Sequence, residues 1–253
     1  MAIRPNRAKQ KLAAGETVYV VSGLDDADLI DQLGPVGFDG IWLESEHGAV
    51  DFADVAGLTR ACDLWGMTSI IRVNQNEQSV IYRALDRGVQ GIVVPHVNTR
   101  EEAENVIAGG KFAPIGQRGL YFSRQSHGVP DYLKIANDHT LLVVLIEDIV
   151  GVENLDEILE VDHIDVFFVA PSDLAASMGH IGNNDHPDVQ RTIDESLAKI
   201  QARGRVAGTT TNNATVAKYA AAGVQFLLCS AAPWLAAGAQ DFIRQAESGK
   251  RGG

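Results

Sequence analysis

The chain has 253 residues, 45% of them hydrophobic and 21% charged, enough apolar material to bury the core of one large domain. Its formal net charge of −12 argues against a nucleic-acid or anionic-membrane partner, while local arginines could still bind small anions. No apolar run approaches the ~20 residues of a membrane span, and the polar opening stretch has no signal core, so the expected location is the cytoplasm.

Strand-like segments fall at 17–22, 40–43, 68–72, 91–95, 141–147, 166–170, 205–208 and 225–229. They are short, rich in branched apolar residues and uninterrupted, as buried parallel strands are. Helix-periodic stretches lie between them at 27–33, 52–65, 79–87, 100–107, 152–159, 187–202, 213–221 and 233–248. Thr99 before Arg100-Glu101-Glu102 marks a helix start, and Gly88, Gly204 and Gly223 fall just past helix ends. Eight alternating units in a chain of this length predict a single α/β domain, a (β/α)8 TIM barrel over residues 1–253. No glycine-rich loop follows the first strand, which excludes a dinucleotide fingerprint. The segment 109–139 is a long insertion expected near the active site, and the tail 249–253 is expected to fray. Cys62 and Cys229 sit far apart among apolar neighbours and read as buried thiols.

The informative feature is what stands at the strand ends. Leu141 to Ile146 runs into Glu147, Val166 to Ala170 runs into Pro171-Ser172-Asp173, the second strand ends in Glu44-Ser45-Glu46-His47, and the third ends in Arg72. In a parallel barrel all of these project from one mouth, where ligands bind. Glu147 and Asp173 are hard oxygen donors of the type Mg²⁺ or Mn²⁺ takes; Asp173 could equally cap the helix that follows. The planar fork of Arg72 suits a substrate carboxylate, and His47 beside two acids suits a proton-moving base.

Together these parts permit one kind of chemistry. A divalent cation chelated by a 2-oxo acid polarises the carbonyl, Arg72 holds the carboxylate, and bond cleavage leaves an enolate stabilised by the cation. The strands lack lysine, so an imine route is disfavoured. His96, after the fourth strand, is a possible further cavity residue. Arg124 and His127 in the inserted segment could meet an anionic tail on the second substrate, with Arg118 and Tyr121 as their neighbours. His139, His163, His180 and His186 read as loop or cap positions.

At these residues the sequence resembles the HpcH/HpaI family of metal-dependent (class II) pyruvate aldolases over nearly its whole length. The likeness rests on Gly37-Phe38-Asp39 leading to Glu46-His47, on Arg72, on Gly88 through Pro95, and on Gly116-Gln117-Arg118-Gly119. Glu147, Pro171 through Gly179, Gly182-Asn183 and His186-Pro187 complete it. The resemblance implies Glu147 and Asp173 as metal ligands, with Mg²⁺, Mn²⁺ or Co²⁺ as the ion, and Arg72 on the pyruvate carboxylate. It further implies backbone amides near Ser172 and Asp173 seating pyruvate, and His47 as catalytic base paired with an acid three residues earlier. It implies a homohexamer, a trimer of dimers, in which the last helix is exchanged and a neighbour completes the site. Two positions depart from the family: Glu44 stands where an aspartate is usual, and Leu145 where a glutamine often lies near the metal. The expected reaction is reversible cleavage of a 4-hydroxy-2-oxo acid to pyruvate and an aldehyde. Oxaloacetate decarboxylation at the same site is the alternative that the two departures leave open. An acyl-CoA lyase would want a basic patch near the mouth, and a non-catalytic metabolite sensor would not need all four mouth residues.

Overall fold

A computed structural model describes residues 2–251, with side chains described through residue 249. Eight parallel strands, β1 (Val18–Ser22), β2 (Gly40–Glu44), β3 (Thr68–Arg72), β4 (Gly91–Val94), β5 (Leu141–Ile146), β6 (Val166–Val169), β7 (Ala207–Thr210) and β8 (Phe226–Ser230), close into a barrel in sequence order. The TIM barrel expected from the sequence is the fold. Side chains alternate across each strand. Val20, Trp42, Ile70, Val93, Val143, Leu145, Phe168 and Phe226 belong to the cluster inside the barrel. Val21, Ile41, Leu43, Ile71, Val144 and Ile146 pack outward under the helices. The interior is solid: Phe168 meets Trp42 at 5.6 Å and Phe226 at 6.1 Å between ring centroids. A Cβ on Gly208 would lie 2.8 Å from the Phe168 ring, so only glycine fits there.

The helices are α1 (Arg7–Ala13), α2 (Ala27–Leu33), α3 (Val55–Leu64), α4 (Gln78–Asp86), α5 (Arg100–Gly110), α6 (Tyr132–His139), α7 (Ile149–Glu153), α8 (Leu155–Ile158), α9 (Pro171–Ser177), α10 (Pro187–Ala202), α11 (Val216–Ala221) and α12 (Ala232–Arg251). Thr99 and Glu102 form a reciprocal capping box on α5. Gly88, Gly204 and Gly223 take φ of 107°, 69° and 79°, the left-handed conformation that ends a helix. The single helix expected at 152–159 is two, broken at Asn154, whose side-chain amide donates to the Asn98 carbonyl. Of the tail expected to fray, α12 continues through Arg251, and 252–253 lie outside the described residues. On α12, Leu235, Phe242 and Ile243 are exposed. Among the described residues no helix is long and apolar enough to cross a membrane.

The inserted segment packs on the outside of its own barrel. None of 109–139 lines the cavity at the barrel mouth. Polar contacts hold it to the outer wall and the opposite end: Arg118 to Asp86 (2.7 Å), the Gln125 amide to the Gly88 carbonyl (2.7 Å), and Lys111 to the carbonyls of Asn137 and Thr140. Both cysteines are free. Cys62 is buried as expected, and Cys229 is half-buried.

Candidate active site

The strand register writes the first half of the site. Glu44 and Arg72 are Cα partners across β2 and β3, each two residues beyond an inward side chain, Trp42 and Ile70, so both carry inward parity. They meet as an ion pair: Glu44 Oε2 accepts from Arg72 Nε at 2.8 Å and lies 2.7 Å from Nη2. Arg72 Nη1 is 3.0 Å from Glu46 Oε2, and the guanidinium lies 5.9 Å from the Trp42 ring centroid. The second Glu44 oxygen accepts the backbone N–H groups of Glu46 (2.8 Å) and His47 (3.1 Å), and Trp42 Nε1 donates to the first (3.1 Å). Burial pushes the Glu44 carboxyl up, but Arg72 and these donors outweigh it and hold it below the usual range.

Glu44 therefore does not meet the His47 ring, the contact expected of an acid three residues earlier. The additional methylene carries its carboxylate to Arg72, and its other oxygen ties down the turn that follows. The acid nearest the ring is Glu46, 3.7 Å from His47 Nε2. The His47 side chain is 66% exposed, so its ring is open to a substrate.

Glu147 lies two residues past inward-facing Leu145, at the end of β5, and is 1% exposed. Its Oε1 accepts the His96 N–H at 2.9 Å, while its Oε2 is buried with no hydrogen-bond partner. Burial, the largest cause, pushes this carboxyl up to about 7 against the opposing His96, and the charges of Asp173 and Glu46 add to the rise. Asp173 sits in the first turn of α9 and lines the same 390 Å³ cavity as Glu44, His47, Arg72, Leu145 and Ser172. A desolvated carboxylate with an orphaned oxygen, beside a second carboxylate, is a donor set that a divalent cation satisfies. The residues present thus fit the metal. The opening turn of α9 also leaves the N–H groups of Ser172 and Asp173 without intrahelical acceptors.

The sequence names Glu46 and His96 but not what they touch, and it misses Asp148. Glu46 is an ion-pair partner of Arg72, and its Oε1 lies 4.0 Å from His96 Nε2. His96 takes φ 52°, a left-handed conformation uncommon outside glycine, which turns its N–H onto Glu147. Asp148 accepts from the Asn98 amide at 3.0 Å and pairs with His96 Nδ1 at 2.9 Å. Burial pulls the His96 ring down, but Asp148, Glu147 and Glu46 together raise its pKa. A strained backbone between two acids is a functional signature only after folding.

Within one chain Arg124 and His127 lie away from this mouth. They line a different cavity that shares no residue with the mouth, because Arg124 is drawn to Asp63 on α3 at 2.6 Å. Of the four histidines read as loop or cap residues, His186 caps α10 by accepting from Asp188 N, and His180 stacks on it at 3.6 Å. With Asp188 these form a potential chelating group, with ligand atoms within 4.8 Å of one another. The two rings lie only 16° from parallel, so their in-plane lone pairs run side by side instead of converging on one ion.

A parallel barrel with buried carboxylates, an arginine and a histidine at its C-terminal mouth defines the class: the chain belongs to the HpcH/HpaI aldolase/citrate lyase family, whose model matches residues 18–230. It is an aldolase, a metal-dependent carbon–carbon lyase that cleaves a 4-hydroxy-2-oxo acid to pyruvate and an aldehyde. Among its relatives is the 5-keto-4-deoxy-D-glucarate aldolase of Salmonella arizonae, 37% identical over 211 residues, 82% of each chain. The crystal structure of a family protein from Burkholderia cenocepacia superposes with a TM-score of 0.90 at 28% identity, covering 96% of this chain and 99% of that one. Enzymes of the family bind a divalent metal. Magnesium accompanies oxaloacetate in the citrate lyase beta subunit from Mycobacterium tuberculosis, a likeness of fold at 15% identity and TM-score 0.55 over 87% of this chain and 93% of that one.

Proposed function

We propose that Glu147 and Asp173 hold the divalent metal, Mg²⁺ or Mn²⁺ with Co²⁺ as a substitute. Arg72 takes the substrate carboxylate, the N–H groups of Ser172 and Asp173 help seat it, and His47 moves the proton. The observation that carries this reading is the orphaned Oε2 of Glu147, buried at the mouth under the charge of Asp173. The bound ion supplies Lewis-acid polarisation of the 2-oxo group and stabilises the charge that develops there.

The chain's own residues do the rest. A guanidinium has five N–H donors; Glu44 engages Nε and Nη2, and Glu46 engages Nη1. One N–H on each terminal nitrogen is left, and these two grip the substrate carboxylate end-on. Glu44 is thus a positioning residue for Arg72. His47 takes the proton of the 4-hydroxyl as the bond between C3 and C4 breaks, with the electron pair passing to the 2-oxo fragment and the other fragment leaving as aldehyde. Glu46, 3.7 Å from the ring, stabilises the imidazolium that forms. The substrate named for the Salmonella relative, 5-keto-4-deoxy-D-glucarate, is an oxo acid of this class and the first to assay.

A second reading, decarboxylation of oxaloacetate, draws on Leu145, an apolar side chain lining the mouth where a hydrogen-bonding residue would assist an aldol acceptor. Exchange of the C3 protons of pyruvate into solvent, together with pyruvate release from both substrate types, separates the two. The exposed apolar residues of α12 support its exchange between subunits of a homohexamer, a trimer of dimers. The net charge and the helix lengths support a cytoplasmic enzyme without nucleic-acid or membrane partners. Chelator should abolish turnover and Mn²⁺ restore it; full activity in chelator would overturn the metal assignment.

A further inference from the structure

The reaction proposed for the mouth gives the His96 ring no task. His96 stands two residues past β4, at the rim of the 390 Å³ cavity and not among the residues lining it. Its backbone is held at φ 52°, a conformation that a residue other than glycine adopts only at a cost. The hydrogen bond gained there, from the His96 N–H to Glu147 Oε1 at 2.9 Å, is a backbone bond that glycine would supply without strain. The ring is not needed for it. Nor does the ring brace the core: its side chain is 53% exposed and that of Asp148 28%, and an exposed pair of this kind adds little stability.

What the surroundings do is aim the ring. Asp148 Oδ2 lies 2.9 Å from Nδ1 and is itself held by the Asn98 amide at 3.0 Å. The other nitrogen, Nε2, has no hydrogen-bond partner among the described residues; Glu46 Oε1 is 4.0 Å from it, beyond hydrogen-bond length. Glu46 Oε2 lies 3.7 Å from His47 Nε2 and 3.0 Å from Arg72 Nη1. The two imidazoles thus flank one carboxylate, and His96 faces the oxygen that His47 and Arg72 leave. With Arg72 on the substrate carboxylate and His47 on the 4-hydroxyl, the next group along the substrate is the substituent on C5, the carbon beside the aldehyde carbon.

We propose that His96 is a specificity-determining residue for the aldehyde half of the substrate, its Nε2 hydrogen-bonding a hydroxyl on the carbon next to the aldehyde carbon. The assignment rests on the aldolase site proposed above and names the class of aldehyde it takes, a 2-hydroxyaldehyde. A hydroxyl both donates and accepts, so it meets an imidazole in either protonation state. A carboxylate against Nε2 would face Glu46, Glu147 and Asp148 together, which disfavours it.

The test compares aldol addition of pyruvate to glycolaldehyde and to acetaldehyde by the Mn²⁺-loaded enzyme. The two differ only by that hydroxyl, and their intrinsic reactivities cancel when the ratio of kcat/KM is compared between variants. His96→Gly should lower the preference for glycolaldehyde about fivefold or more, the factor for one hydrogen bond, through KM for the aldehyde. His96→Asn, which also tolerates φ > 0, should match it, separating loss of the ring from added backbone freedom. Exchange of the C3 protons of pyruvate in the absence of aldehyde should persist in all three proteins. An unchanged preference in both variants, with exchange intact, would overturn the role of His96 alone. Equal loss of rate with both aldehydes would overturn it too, by placing the ring's effect on Glu147 or Glu46 and not on the substrate. Absence of exchange in the parent would instead overturn the aldolase site on which the assignment stands.

Discussion

The two ends of the barrel treat their most buried carboxylates, Asp39 and Glu147, in opposite ways. At the N-terminal end, Asn6 donates to the carbonyls of Gln90 (2.9 Å) and His139 (2.7 Å), and its Oδ1 accepts from Lys9 N and Thr68 Oγ1 at 3.1 Å each. Buried Asp39 is paired with both Arg7 and Lys11 at 2.8 Å, and Lys9 and Lys111 share the Thr140 carbonyl at 2.7 Å each. These cross-links read as stability, although Ser69 Oγ and Gln125 Oε1, also away from the mouth, are buried without hydrogen-bond partners. At the C-terminal mouth the network is open. Glu147 Oε2 is an orphan, His96 is held at positive φ, and burial together with Asp173 and Glu46 raises Glu147. A buried carboxylate with one oxygen left without a partner, beside a second carboxylate, is suited to a cation from solution.

Substitutions should separate the two ends, and the largest effect belongs at the mouth. Glu147→Gln should lower kcat/KM about 10³-fold, the scale of losing one preorganised charge-stabilising group, with the melting temperature of the metal-free protein unchanged or raised. Steady-state kinetics beside calorimetry would break the comparison if stability fell instead. Arg72→Ala should weaken pyruvate binding about 10–100-fold, one or two charge-assisted hydrogen bonds, with Mn²⁺ affinity little changed. At the closed end, Asn6→Ala should cost about 3 kcal/mol of stability, read by urea unfolding, while kcat per folded molecule stays the same. A loss of kcat there would show that the ends are not independent. Glu44→Asp retracts the carboxylate by one methylene and should raise KM for the 2-oxo acid several-fold, with kcat moving less.

The smallest effect is in pH. The Glu147 carboxyl rises from an ordinary 4.5 to about 7 on folding, so the folded metal-free chain binds the proton more tightly than the unfolded one. The associated stability is present below 4.5 and is lost as pH rises through about 7. Proton and cation compete for the same oxygen. Metal affinity should therefore increase as pH rises through that window, a dependence that Glu147→Gln would erase.

Much of this was legible in the chain. Period-two parity within each strand places Glu44, Arg72 and Glu147 on the inward side, because each lies two residues past a core residue of the barrel. Shape and register then follow from apolar runs of ordinary strand length. Parity lapses once the strand ends, so Glu46 and His96 are named from the sequence without their partners and Asp148 is missed: their positions depend on turns, one of them strained. Helix α1 was unseen because only Ala8 and Leu12 face the core, too few to establish a period, and α9 because its opening Pro171-Ser172-Asp173 reads as a loop. The strand expected at 205–208 is displaced to Ala207–Thr210. Its last residues are threonines, and buried Thr209 donates to the Val169 carbonyl, a contact that sequence hydropathy does not register. The insertion's place on the outer wall was set by ion pairs with Asp63 and Asp86, both distant in sequence.

Anomalous diffraction from crystals soaked in Mn²⁺ tests the central claim most directly. A single strong peak within coordination distance of Glu147 Oε2 and a carboxylate oxygen of Asp173 is the expected result. A manganese peak elsewhere with none between these two side chains would contradict it.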